Sequence, residues 1–226
     1  MSRWALACLC GLSIGTCAGR AAAAEIYSYW VQPCEGEIAE RSGCVAADPE
    51  LARWALDAWQ EAAGPGLRFV PASGGEGEAR IRIYWLGGTT QLYGDARILS
   101  ANGQRGASIE VHPDLAQLGT EIAEAGKKDP LFRDTVVYLT CLHETGHAIG
   151  MEHTADFADI TYSFQYGGDI LEYFSRYRHA IANRAGIRKH AGLSESDLRK
   201  AAEGCRDTCG AMIRGRMRRL KPLAGT

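Results

Sequence analysis

The stretch HETGHAIGMEH, from His143 to His153, decides how the rest of the chain is read. His143 and His147 are four residues apart, so on a helix their side chains stand one above the other on one face. Glu144 projects beside that face. Gly150 has the freedom to take the left-handed backbone that stops a helix and reverses the chain. Three residues later, His153 swings back as a third imidazole. Three protein ligands on one zinc leave a fourth position open for water, which distinguishes a catalytic site from a structural one. The spacing therefore places His143, His147, His153 and Glu144 where a single Zn2+ could be held and a water molecule activated. At average residue usage, five fixed positions of this kind arise by chance on the order of once in a hundred thousand chains of this length.

Outward from the motif, the local sequence reads as a helix. Asp129 is an N-cap residue and Pro130 suits the first helical position. Leu131, Phe132, Val136, Val137, Leu139 and Leu142 supply apolar surface, and Gly150 ends the run. Further upstream, Ile26 to Val31 reads as a strand. Asp48 and Pro49 open a helix in which Leu51, Trp54, Ala55, Ala58 and Trp59 follow amphipathic spacing. Both tryptophans read as core packing. Gly64-Pro65-Gly66 ends that helix, and Leu67 to Val70 is a short strand. In Arg80 to Leu86, Ile81, Ile83 and Trp85 alternate with polar neighbours, the pattern of a half-buried strand. Gln91 to Leu99 and Ala107 to His112 are two more strands, with a turn at Asn102-Gly103. After the motif, Tyr162 to Gly168 is irregular and Ile170 to Ala185 is helical. A last helix opens at Ser194, with Asp197 completing part of a capping box. The order predicts an α+β fold: a twisted, mostly parallel five-stranded sheet packed on two long helices, with a C-terminal helical subdomain.

The chain has 226 residues, enough for one domain with a sizeable core. Its formal net charge of −2 gives no electrostatic pull toward nucleic acid, so no nucleic-acid partner is expected. Residues 1–24 read as a secretory signal: Arg3, an apolar run from Ala5 to Ala18, and small residues from Ala21 to Ala24. The run is too short for a transmembrane helix. The mature chain then spans 25–226, with an upper subdomain over 25–150 and a lower one over 151–226. A secreted or extracytoplasmic location follows, extracellular or periplasmic; a lipid anchor at Cys17 is the alternative. Cys34, Cys44, Cys141, Cys205 and Cys209 remain after cleavage. Cys141 reads as a small buried core residue. The other four allow two disulfides in an oxidising compartment, with Cys34–Cys44 and Cys205–Cys209 as the local pairings and the connectivity open. Arg214, Arg216, Arg218, Arg219 and Lys221 read as a solvated basic tail.

The motif HExxHxxGxxH is the signature of the metzincin zinc peptidases, and the element order together with it resembles their matrixin branch. The resemblance covers Glu25 to Cys209. LARWALDAWQ is similar to the first matrixin helix, LRFVPASGGEGEARIRIYW to the strand pair that follows, and Thr154 stands where matrixins usually carry serine. Residue by residue, the resemblance implies that His143, His147 and His153 ligate zinc and that Glu144 is the general base. It implies a secreted endopeptidase that hydrolyses peptide bonds with a zinc-activated water. Its polypeptide substrate would lie extended along a sheet edge at Gln91 to Leu99, by strand addition.

The chain also departs from that pattern. The methionine that metzincins carry in a turn beneath the zinc is replaced by Thr161, followed by the matching Tyr162. A smaller, polar threonine predicts a looser floor. The histidines of the matrixins' second zinc are not matched within Tyr93–His112, and calcium sites are unassigned. Gln165 to Gly192 is longer than the usual link to the last helix and is expected to reshape the pocket beside the zinc. These departures keep a second reading in view: a degenerate metzincin acting as a zinc-binding or protein-binding module. Hydrolysis of a non-protein amide is a third.

Overall fold

The computed structural model describes residues 24–88, 92–101 and 103–203. The signal segment (save Ala24), Cys205, Cys209 and the basic tail lie outside the described residues.

Five strands form one sheet: β1 (Glu25–Val31), β2 (Leu67–Pro71), β3 (Ile81–Trp85), β4 (Gly94–Ala101) and β5 (Gln104–Val111). Their order is β2-β1-β3-β5-β4. β1 runs parallel to both β2 and β3, β3 runs parallel to β5, and only the β4–β5 hairpin is antiparallel. The sheet is mostly parallel, as the sequence predicts, and β4 stands at its edge. In register, Ile81 faces Ala107, Ile83 faces Ile109 and Trp85 faces Val111. All six are buried, so alternate residues of two neighbouring strands build one continuous apolar face.

Two long helices cover that face: α2 (Asp48–Ala63) and α4 (Pro130–Ile149). They pack on each other as well as on the sheet. Trp59 of α2 is fully buried and donates its indole N–H to the Leu142 carbonyl of α4, 2.7 Å away. Asp48 has no exposed surface, and Arg133 of α4 pairs with its carboxylate. Burial of a charge at that depth requires such a partner. Asp129 caps α4 by accepting from the Leu131 amide at 3.0 Å, and Pro130 occupies the first turn.

Three expectations are corrected. The edge strand expected over Gln91 to Leu99 is Gly94–Ala101, with Leu92 and Tyr93 ahead of it and Gln91 outside the described residues, and its partner is Gln104–Val111, so the strand pair is shifted toward the turn. The helix expected over Ile170 to Ala185 is two: α5 (Ile170–Ala180) and α6 (Arg184–Lys189). Ile181 takes an extended backbone, and the Asn183 side chain accepts from the Gly186 amide to start the second helix. Two short helices were not foreseen. α1 (Gly36–Ser42) lies inside the Cys34–Cys44 disulfide loop, and α3 (Thr120–Lys128) precedes the long helix. Among the described residues the local cysteine pairing is observed, and Cys141 is free and buried. The last described helix covers 195–203. Its capping box is complete: the Ser194 amide donates to Asp197 and the Asp197 amide to Ser194 Oγ. No described helix is long and apolar enough to cross a membrane.

Candidate metal centre

The last turns of α4 carry His143, Glu144 and His147 against the sheet. Gly150 then takes φ 109°, and its amide together with that of Met151 satisfies the carbonyls of His147 and Gly146. Arg105 of β5 reaches the same helix end, donating to the carbonyls of His147 and Ala148 at 2.9 Å each. A cation there also complements the negative end of the helix dipole. The reversed chain brings His153 back over the two helical histidines.

The three Nε2 atoms lie 3.0 Å (His143–His147), 3.1 Å (His147–His153) and 3.4 Å (His143–His153) apart. Zn–N bonds of about 2.0–2.1 Å at tetrahedral angles place ligand nitrogens about 3.3–3.4 Å apart. The triangle has the size that such an ion requires, slightly contracted on two sides, and the cluster can hold a metal ion. The tautomers agree. His143 Nδ1 lies 2.7 Å from the Ile160 carbonyl oxygen and His147 Nδ1 lies 2.8 Å from that of Met151. A carbonyl only accepts, so both Nδ1 atoms carry the proton and both Nε2 lone pairs point inward. Two lone pairs facing each other at 3.0 Å repel unless a cation sits between them. Burial, and next the neighbouring His147, push His143 down to about 3, so this ring stays neutral as a ligand must. His143 is buried, His147 half-buried and His153 exposed, which leaves one side of the triangle open.

Glu144 is 4 % exposed. Burial, with the Asp95 carboxylate second, raises its carboxyl to about 8. Its close neighbours are Thr140 and the first residue of β4: an ideal Cβ at Gly94 would lie 2.8 Å from Glu144 Oε1. Tyr93 stands edge-on to the His143 ring with centroids 6.0 Å apart, and edge-on to Phe164 and Phe174 at 6.0 and 5.9 Å.

The position of the missing methionine is filled by packing. Thr161 is 1 % exposed, and its methyl lies beneath Gly146 of α4. A Cβ at Gly146 would be 2.9 Å from Trp59 Cζ2 and 3.2 Å from Thr161 Cγ2, so bare backbone lets the indole and the threonine close on the helix. The turn is tied back by the Thr154 amide, which donates to the Thr161 carbonyl, and by the Ser163 amide, which donates to that of Thr154. Beside His153 opens a cavity of about 490 Å3 whose walls include Leu92, Tyr93, Leu118, Phe164 and Ile170. Gln165 and Ile170, from the long link before the last helix, are part of it.

The three histidines singled out by spacing are thus brought together, and Glu144 is buried where β4 begins. Sequence reasoning missed Arg105, Tyr93, Asp95 and Gly94. For Gly94 a signal existed, since an isolated glycine in a strand marks a close backbone approach. Arg105, Tyr93 and Asp95 reach the site only through tertiary packing. No protein-family model matches the chain, and no curated protein matches it.

Proposed function

We propose that the chain is a metzincin-like, zincin-fold zinc endopeptidase that acts outside the cytoplasm. The observation that carries this reading is the pair of inward-facing Nε2 lone pairs on His143 and His147, completed by His153, with the buried Glu144 following His143 in α4. Imidazole suits zinc, and an open, partly exposed three-histidine set suits a catalytic ion. A bound zinc supplies Lewis acidity and makes water a nucleophile near neutral pH. Glu144 accepts the proton of the attacking water and passes it to the leaving amine. The free edge of β4 offers backbone donors and acceptors to an extended polypeptide. The cavity beside His153 accepts an apolar side chain next to the cleaved bond. The disulfide fits an oxidising compartment.

The test is cleavage of an unstructured protein by the purified chain, with and without a chelator, alongside Glu144→Gln. Chelator-sensitive cleavage that Glu144→Gln abolishes supports the reading. Zinc binding with no cleavage of any unstructured protein points to the binding-module alternative.

A further inference from the structure

β4 approaches the candidate base most closely at its first residue. An ideal Cβ at Gly94 would meet Glu144 Cγ and Oε1 at 2.8 Å each, and Thr140 Cγ2 at 2.7 Å. Carbon atoms pack at about 3.5–4.0 Å, so none of these contacts is tolerable without movement. The Gly94 backbone is outside the left-handed region. Any residue can adopt it, and the demand for glycine is a demand for room. Thr140 cannot easily yield, because it is 1 % exposed and its hydroxyl donates to the Val136 carbonyl at 2.8 Å. Relief therefore requires the Glu144 side chain to move and the sheet edge to ease off Thr140.

We infer that Gly94 is a positioning residue: the volume of its missing side chain is the space in which the Glu144 side chain stands. The inference rests on the hydrolytic reading above for its catalytic consequence, though not for its geometry. A side chain at position 94 swings the carboxylate away from the point where it takes a proton, or lifts the sheet edge. None of the three atoms nearest a Cβ at position 94 belongs to a histidine, so the three imidazoles are expected to stay in place.

The test uses the full zinc-loaded chain and compares Gly94→Ala, Thr140→Ser and the double variant. Gly94→Ala is expected to keep one zinc per chain and its KM while kcat falls about 10–100-fold, the cost of misplacing a catalytic group by about 1 Å. Thr140→Ser removes Cγ2 and keeps the hydroxyl. It leaves kcat alone in the parent chain and restores most of the loss in the Gly94→Ala background. Thermal unfolding supplies a readout independent of turnover. Gly94→Ala lowers the midpoint by about 3 °C in the parent, and by clearly less when Glu144→Ala has emptied the space. Wild-type kcat in Gly94→Ala, or equal midpoint shifts with and without the Glu144 side chain, overturns the inference. Loss of zinc from Gly94→Ala overturns it as well, by making the defect one of the metal site. A parent chain that hydrolyses nothing sinks the hydrolytic reading instead, and the unfolding comparison still decides whether Gly94 makes room for the carboxylate.

Discussion

The carbonyl oxygen of Ile160 lies 2.7 Å from Nδ1 of His143. The Tyr173 hydroxyl shares its one proton between that oxygen at 3.1 Å and the Asp159 carbonyl at 3.0 Å, while the Ile160 amide donates to Asp197 at 2.9 Å. The peptide units on both sides of Ile160 are thus held by α5 and by the last described helix. Orientation of the most buried ring of the three-histidine cluster is thus set by elements that lie beyond the motif in the chain.

Tyr173→Phe removes one of the two donors to the Ile160 carbonyl without changing ring volume. Partners that orient a ligand are worth 10–100-fold in metal affinity, and Tyr173 acts one step further out. Its loss is expected to weaken zinc binding about tenfold, measured by competition with a chromophoric chelator, with the secondary structure unchanged by circular dichroism.

Acid should loosen the same region. Burial pushes the Asp159 carboxyl up, but hydrogen bonds from Ser194 and Lys200 outweigh it and leave the group below its ordinary value. A depressed folded-state value gives stability that is present above the unfolded value near pH 4 and is lost as pH falls toward the folded one. The thermal midpoint of the parent should therefore drop from about pH 4 downward. Asp159→Asn should melt lower at pH 7, and the gap should narrow at pH 3. A gap that is constant across this range contradicts the assignment.

The Cys34–Cys44 bond closes a loop that contains α1, which presses its Arg41 carbonyl against the backbone at Gly87. Closing a loop of this length stabilises by about 3 kcal/mol. Replacing both cysteines by serine should lower the unfolding free energy by about that amount in urea titration, with the denaturant slope rising as the unfolded chain expands.

Trp59→Phe takes away the donor to the Leu142 carbonyl, one residue before the first ligand, and part of the ring beneath Gly146. The cost should be about 1–3 kcal/mol, from the lost indole hydrogen bond and the vacated volume together, since the Leu142 carbonyl lies inside α4 and keeps its helical partner. Zinc should be retained, because neither effect touches an imidazole. Equilibrium unfolding and metal content, measured on one preparation, separate the two.

Local chemistry made much of the molecule legible. The caps Asp129 and Gly150, the alternation of Ile81, Ile83 and Trp85, and the four-residue spacing of His143 and His147 are short-range signals, and each is found where it was expected. The β4 boundary misled because Leu92 and Tyr93 extend the apolar pattern ahead of the strand, and Tyr93 still accepts from the His112 amide at 2.9 Å. α1 escaped because a seven-residue helix buries almost nothing; of its residues only Ser42 is buried. The packing of Trp59 and Thr161 on Gly146 was not legible either. It depends on three residues from α2, α4 and the following turn meeting at one point, which no periodicity records.

The most direct test of the metal centre is elemental analysis of the purified parent chain beside His147→Ala, prepared in the same zinc-containing buffer. The geometry requires one zinc per parent chain and little or none in the variant. Full zinc occupancy in His147→Ala, or a parent chain that leaves the buffer metal-free, contradicts it.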